Sequence, residues 1–205
     1  MITAVAGAGG KTSLIRELAD RYREEGKTVF VTTSTHMFIE EHTLGTDDAE
    51  VILAQLQSTG FVMAGIPEGP KIRSLSRETY NAACRRAQEV LVEADGSKHM
   101  PLKFPNSTEP VIPENADRIL VVCGLHALGQ KAKDCCHRLE LAKQLLDIDD
   151  DTIITPEIIK KLLEEGYRKP LRRSHPGIPL VLIPRHDGSR KAIAEALIKW
   201  WDSPL

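Results

Sequence analysis

Apolar residues along this chain follow two patterns, short continuous runs and positions repeated at helical spacing. Runs of β-branched and aliphatic residues predict buried strands within 2–6, 28–33, 61–65, 90–94, 118–123 and 180–183. Helical spacing predicts helices from 14 to 26, over 47–57, 76–88, 138–147 and 155–165, and around Ile193, Leu197 and Trp201. Continuous apolar strands that alternate with helices predict an α/β class, with a doubly wound, mostly parallel sheet covered on both faces.

A cluster of glycines follows the first run and precedes the first helix. This phosphate loop, as we call it, consists of Gly7, Ala8, Gly9, Gly10, Lys11, Thr12 and Ser13. Glycines let backbone N–H groups approach an anion, and a helix N-terminus adds a favourable dipole. Lys11 would contribute a charge for the terminal phosphates, and the Thr12 hydroxyl would ligate Mg²⁺. The alternative is a glycine turn before a surface helix with a solvated lysine.

The spacing of the loop differs from the common form G-x-x-x-x-G-K-[ST], because Val5 stands where that form has its first glycine. Read from Gly7, the loop is G-x-x-G-K-T, two residues shorter, and it is similar to the loop of Mur-type ligases. A strand, this loop and a helix in succession predict a P-loop NTPase-like three-layer sandwich. The nucleotide expected is ATP, with GTP as an alternative.

Two carboxylates end the run at 90–94, where a Walker-B acid belongs. Ligands of such sheets lie beyond the carboxyl ends of the strands, and alternation puts Glu93 and Asp95 on the same side. We expect Asp95 and Thr12 to hold Mg²⁺ and Glu93 to orient water, although the two acids could exchange roles and both could ligate the metal. The alternative is a strand end capped by acids.

Three further residues near predicted strand ends are candidates for chemistry. Lys98 could neutralise charge on a transferring phosphoryl group, or it could be a solvated loop lysine. His36 follows four hydroxyl-bearing residues and could act as a general base, or it could be structural. Asp187 stands where many GTPases have the Asp of N-K-x-D, but the Asn and Lys of that motif are absent, which weakens a guanine preference.

Composition excludes several classes of function. A net charge of −2 and 4% aromatic residues argue against a nucleic-acid partner, and no apolar run is long enough to cross a bilayer. The first strand begins at residue 2 and leaves no room for a signal peptide, so we expect a cytoplasmic protein. We expect one domain over residues 1–205, with a proline-rich functional loop at about 96–115.

The cysteines give no zinc or redox motif, because no pair has C-x-x-C spacing. Cys135 and Cys136 beside His137 could be a metal cluster or the start of a helix.

Several motifs together identify a resemblance. They are G-A-G-G-K-T-S at 7–13, T-T-S-T-H-M at 32–37, E-A-D-G-S-K at 93–98, P-L-K-F-P at 101–105 and E-P-V-I-P at 109–113. This set resembles the YqeC family of accessory factors for selenium-dependent molybdenum hydroxylases. The resemblance implies a maturation role, with the hydroxylase or another maturation factor as partner. An NTPase that drives cofactor activation or insertion is the leading hypothesis. A nucleotide-gated switch for a client enzyme and a small-molecule kinase or ligase are the alternatives.

Overall fold

The computed structural model describes residues 1–204, which fold into two compact units. Unit one comprises residues 1–5, 12–96 and 111–118, and unit two comprises residues 6–11, 97–110 and 119–204. The strands are β1 (Ile2–Gly7), β2 (Val29–Thr33), β3 (His36–Phe38), β4 (Thr43–Gly45), β5 (Phe61–Glu68), β6 (Lys71–Arg73), β7 (Glu89–Glu93), β8 (Leu102–Lys103), β9 (Arg118–Gly124), β10 (Cys136–His137) and β11 (Leu180–Arg185). The α-helices are α1 (Lys11–Glu24), α2 (Ala49–Thr59), α3 (Arg77–Arg86), α4 (Ala132–Cys135), α5 (Leu139–Ala142), α6 (Pro156–Leu163), α7 (Lys169–Ser174) and α8 (Lys191–Trp201). Within residues 1–204, every helix is too short or too polar to traverse a lipid bilayer.

The sheet of unit one is mostly parallel. Its strands lie in the order β1-β7-β2-β5, all parallel, and β4 adds a parallel partner to β5. Antiparallel pairing then continues from β5 to β6 and from β6 to β3. The register aligns Val5, Glu93 and Thr33, so the carboxyl ends of three neighbouring strands lie level with one another.

The helices of unit one are defined by their caps and their apolar faces. Asp48 accepts hydrogen bonds from the first turn of α2, and Ser76 accepts one from the Thr79 amide of α3. Both helices cover a core that includes Phe30, Ile52, Leu56, Val62, Ala83, Val90 and Val92. Burial of these side chains holds the strands that end at Thr33 and Glu93, because each buried aliphatic side chain contributes about 1.5–3 kcal/mol.

Unit two contains two separate parallel strand pairs and the C-terminal helices. β9 pairs with β11 over six residues, and β8 pairs with β10 at Leu102–Cys136 and Lys103–His137. Thr155 caps α6, Pro156 occupies its first turn, and a π-helical turn (Glu164–Arg168) joins α6 to α7. Arg168 is buried and donates to the Trp201 carbonyl, which ties this turn to the end of α8.

The predicted α/β class and mostly parallel pairing are confirmed, and the structure differs from the local predictions in three places. β3, β4 and β6 were missed because they are three-residue strands with mixed polarity. The predicted helix over 138–147 is only Leu139–Ala142, because Arg138 has a positive φ and the chain turns at residues 143–145. The helix over 155–165 instead continues through the π turn to Ser174.

Candidate functional site

The phosphate loop follows β1, and its backbone lies directly against other backbone of unit two. Gly7 has a φ of +96°, and a Cβ atom placed there would lie 2.1 Å from the Val122 carbonyl oxygen. Gly9 has a φ of +78°, and its Cβ atom would lie 2.6 Å from the Gly124 Cα atom. Carbon atoms ordinarily pack at about 3.5–4.0 Å, so only glycine fits at these two positions.

Two hydrogen bonds set the shape of the loop. The Ala8 amide donates to the Val122 carbonyl at 2.9 Å, which fixes the loop to β9. The Lys11 ammonium donates to the Gly7 carbonyl at 2.7 Å, and the Lys11 residue is only 4% exposed. The lysine therefore folds back over the loop with its charge held beside the glycine backbone rather than in solvent.

A cation that the sequence reasoning did not select also borders the loop. Gly10 has a φ of +125°, and a Cβ atom there would lie 3.3 Å from Cγ of Arg185. Arg185 is the last residue of β11, whose parallel pairing with β9 brings that strand end to the loop within unit two. Its place at the carboxyl end of a parallel strand is the signal that could have identified it.

The predicted acids lie at the carboxyl end of β7 in unit one. Thr12 Oγ1 is 3.4 Å from Glu93 Oε2, longer than an ordinary O–H···O hydrogen bond. Glu93 is 7% exposed and Asp95 is fully buried. Unit one therefore brings together Thr12 and Glu93, two of the three residues predicted to hold the metal.

Hydrogen bonds from the carboxyl end of β2 hold the neighbouring strands β5 and β7. Thr33 Oγ1 donates to the Glu93 carbonyl at 2.9 Å, and the Ser34 amide donates to the same oxygen at 3.0 Å. Thr32 Oγ1 donates to the Ala64 carbonyl at 2.8 Å. The main-chain position of Glu93 is consequently fixed by two donors from β2 and the residue that follows it.

His36 lies on the antiparallel part of the sheet, in β3. Its side chain is 52% exposed, and its Nε2 atom is 2.6 Å from Glu68 Oε2. The β3 strand pairs with β6, so this histidine is held at the edge of the sheet by an exposed carboxylate. This contact between exposed side chains orients the imidazole of His36 toward Glu68.

Within unit two, ion pairs anchor residues 97–110 of the proline-rich segment. Lys103 has a fully buried side chain, and its Nζ atom is 2.6 Å from Glu109, which also accepts from Arg138. Burial alone would raise the pKa of Glu109, but hydrogen bonds from Arg138 and Lys103 outweigh it and lower that pKa.

Lys98 is exposed and has a φ of +48°. Burial lowers the pKa of His137, and the neighbouring cations Arg138, Lys103 and Lys98 lower it further.

Asp187 lies in an exposed turn after β11, residues 186–190, which we call the Asp187 turn. Its carboxylate accepts from the Ser189 hydroxyl at 2.5 Å and from the Ser189 amide at 3.1 Å. These two bonds lower the pKa of Asp187, and Arg190 lies 3.7 Å away. The carboxylate is therefore engaged within its own turn.

Metal-ligating side chains do not cluster in the part of the chain that the structure describes. Among residues 1–204, no three His, Cys, Asp or Glu side chains are grouped as a metal centre. Burial raises the pKa of Cys135 to about 11 and that of Cys136 to about 12, so both are protonated thiols at neutral pH. Thr12 and Glu93 are hard oxygen donors and suit Mg²⁺, which usually takes its remaining ligands from phosphates and water.

Comparison with known proteins relates the chain to one family. The family model described as YqeC protein matches residues 3–140, which include the phosphate loop and the acids at 93 and 95. The chain is also 35% identical over 171 residues to a protein of Escherichia coli (strain K12) described as "Uncharacterized protein YqeC". That alignment covers 78% of this chain and 64% of the relative, and no solved structure matches. The chain therefore belongs to the YqeC family.

Proposed function

We propose that this protein binds a nucleoside triphosphate with Mg²⁺ on the phosphate loop. ATP is the expected nucleotide, and GTP is the alternative. The observation that carries the proposal is the close backbone packing of Gly7 and Gly9, which leaves no space for a side chain. Such a loop at the start of a helix presents backbone N–H groups, and anionic phosphate oxygens are the ligands that those groups favour.

Side chains of the phosphate loop and of the nearby strand ends have separate roles in this proposal. Lys11 would neutralise charge on the terminal phosphates, and Arg185 would add a second positive charge beside Gly10. Thr12, with Glu93 and Asp95, would hold Mg²⁺, which supplies charge neutralisation at the phosphate oxygens when bound. Glu93 would also orient the attacking water, because its backbone is fixed by Thr33 and Ser34. The strand–loop–helix order and the parallel pairing support a doubly wound, P-loop NTPase-like three-layer fold.

The biological role that we propose is maturation of a selenium-dependent molybdenum hydroxylase. The resemblance carried by the motifs at 7–13, 93–98 and 101–105 implies this role, with nucleotide hydrolysis coupled to activation or insertion of the client's cofactor. A small-molecule kinase or ligase is the second candidate, and a cavity in unit one, described below, favours it. The third candidate is a nucleotide-gated switch. In that case a client protein, and no small molecule, would stimulate hydrolysis.

Titration calorimetry with MgATP and MgGTP tests the nucleotide site. We expect Lys11→Ala to weaken binding at least about tenfold, because a charge-assisted contact contributes about 1.5–3 kcal/mol. Lys161→Ala, at an exposed lysine of α6, is the matched control and should leave the affinity unchanged. Equal affinity for Lys11→Ala and the wild type would reject the site. Hydrolysis that rises with a client hydroxylase, and not with small molecules, would favour the two client-directed roles, the maturation factor and the switch, over the kinase or ligase.

A further inference from the structure

A cavity of about 530 Å³ opens in unit one at the carboxyl ends of β2 and β7. Thr33, Ser34 and Val92 line it from the strand ends. The residues that line it at and just before the start of α3 are Ser74, Leu75, Arg77, Tyr80 and Asn81. Residues 111–115, the end of the proline-rich segment, complete its wall. A volume of this size is within the range that binds small organic molecules.

The walls of the cavity are held by hydrogen bonds within unit one. The Val111 amide donates to the Ala94 carbonyl at 2.9 Å, and the Ser34 hydroxyl donates to the Val111 carbonyl at 2.6 Å. On the opposite side, the Tyr80 hydroxyl donates to Asn115 Oδ1 at 3.1 Å. The cavity is thus preformed, which reduces the ordering cost of binding a ligand.

Two polar side chains in the lining are not used by the fold. Within residues 1–204, neither the Asn81 carboxamide nor the Ser74 hydroxyl makes a hydrogen bond to another residue. A carboxamide offers both a donor and an acceptor, and a hydroxyl offers the same pair. Leu75, Val92 and Ile112 provide apolar surface around them. Ligand-binding sites typically combine apolar lining with a few polar groups, which orient the ligand.

The lining carries little net charge. Its two charged residues, Arg77 and Glu114, pair with each other at 3.3 Å and have side chains that are 85% and 90% exposed. Burial raises the pKa of Tyr80, so its phenol is neutral at physiological pH. The interior would consequently favour an uncharged ligand, and the Tyr80 ring favours a planar one.

We infer that this cavity binds the small-molecule substrate of the protein, an uncharged planar ring that carries an amide-like hydrogen-bonding edge. The ring packs among Tyr80, Leu75 and Ile112, and its edge pairs with Asn81 and Ser74. Thr33 and Ser34, which line the cavity, also bond to the Glu93 carbonyl, so the ligand lies next to the strand end that carries the proposed metal ligand. The inference rests on the proposed function for calling this ligand a substrate, but the binding itself is independent of nucleotide.

Three probes of nearly equal shape test the charge preference: benzamide is neutral, benzoate is an anion, and benzamidine is a cation. Cyclohexanecarboxamide tests planarity. Binding to the full chain is measured by amide chemical-shift changes at millimolar probe concentrations. We expect benzamide to bind at least fivefold more tightly than the other three and to shift the resonances of Ser74 and Asn81.

Variants at Asn81 make the test specific. Asn81→Leu should weaken benzamide binding at least fivefold, whereas Gln57→Leu, at an exposed position of α2, should leave it unchanged. Asn81→Asp should reverse the preference in favour of benzamidine. A folded Asn81→Asp protein with unchanged preference would overturn the inference. Saturation by none of the probes, or tightest binding of benzoate, would overturn it as well.

The nucleotide titration separates this inference from the proposed function. Lys11→Ala should lose MgATP affinity and keep benzamide affinity. If the wild type binds benzamide at Asn81 but does not bind MgATP, the proposed function fails and the cavity assignment stands. If MgATP binds and benzamide does not, the cavity assignment alone fails.

Discussion

The phosphate loop and the Asp187 turn of unit two both contain glycines with positive φ, but they acquire their shape in different ways. In the phosphate loop, Cβ atoms at Gly7 and Gly9 would overlap backbone atoms of other segments. In the Asp187 turn, a Cβ atom at Gly188, where φ is +97°, would meet no heavy atom of residues 1–204 within 4 Å. The first conformation is imposed by packing, and the second is a local hydrogen-bonded turn.

The phosphate loop is the one of the two that suits close approach to a ligand. A loop fixed by neighbouring backbone keeps its N–H groups in place without help from its own side chains. A turn that satisfies Asp187 with Ser189 already uses the carboxylate that would read a base. We therefore place most of the proposed nucleotide affinity in the phosphate loop and little of it in the Asp187 turn.

The largest expected effect separates the two glycines. Gly7→Ala should lower the free energy of unfolding by at least about 3 kcal/mol, because strain at a special φ adds to a clash with Val122. Gly188→Ala should cost only about 1–2 kcal/mol, the strain of a positive φ alone. Urea denaturation monitored by circular dichroism measures both. Equal losses would show that packing does not distinguish the loops.

The second prediction concerns the stability contributed by the ion pairs of Glu109. These pairs anchor the proline-rich segment next to the phosphate loop. Pro101 of that segment contacts the Gly9 position, and Glu109 holds the buried Lys103. Glu109→Gln should lower the free energy of unfolding by about 3 kcal/mol at pH 7, because a buried cation loses its partner. Glu114→Gln, whose ion pair is exposed, should change stability by well under 1 kcal/mol.

The loss of stability caused by Glu109→Gln should depend on pH and should be smaller at acid pH. The pKa of Glu109 is lower in the folded protein than its ordinary value, so its contribution is complete above that ordinary value. The contribution is lost as the pH falls through the lowered pKa. The difference in urea midpoint between the wild type and Glu109→Gln should therefore be constant from pH 7 to about pH 5 and should narrow as the pH falls further. A difference that stays constant down to about pH 3 would contradict the ionised pairing.

Arg185 and Arg190 provide a smaller, matched contrast in nucleotide affinity. Arg185→Ala should weaken MgATP binding by about fivefold, because its side chain lies against Gly10. Arg190→Ala should have less than a twofold effect, because Arg190 faces Asp187. Calorimetric titration distinguishes the two. An equal loss for both variants would mean that the effect comes from general positive charge.

Asp187→Asn is expected to have the smallest effect. The change keeps the shape of the side chain and the capping of the turn, so MgATP and MgGTP affinities should each change less than twofold. Competition binding of the two nucleotides measures their ratio. A selective loss of GTP affinity would show that Asp187 reads guanine and that the Asp187 turn contributes to the site.

The sequence predicted those parts of the molecule that depend on local pattern. The alternation of apolar runs with helices predicted the parallel strands, and the strand end at Glu93 lies where the V-L-V-E pattern indicates. The contacts of Arg185 with Gly10 and of Arg138 with Glu109 were not predicted, because each joins residues that are distant in the chain. The antiparallel strands β3 and β6 were missed because three residues carry too little periodicity.

We expect backbone amides of the phosphate loop to bind the triphosphate directly. The most direct measurement is a ¹H–¹⁵N correlation spectrum recorded with and without a non-hydrolysable MgATP analogue. The amide resonances of Gly9, Gly10 and Lys11 should show the largest shifts, and Lys11→Ala should strongly reduce those of Gly9 and Gly10 at the same subsaturating analogue concentration. Saturable binding that leaves these three resonances in place would contradict the claim.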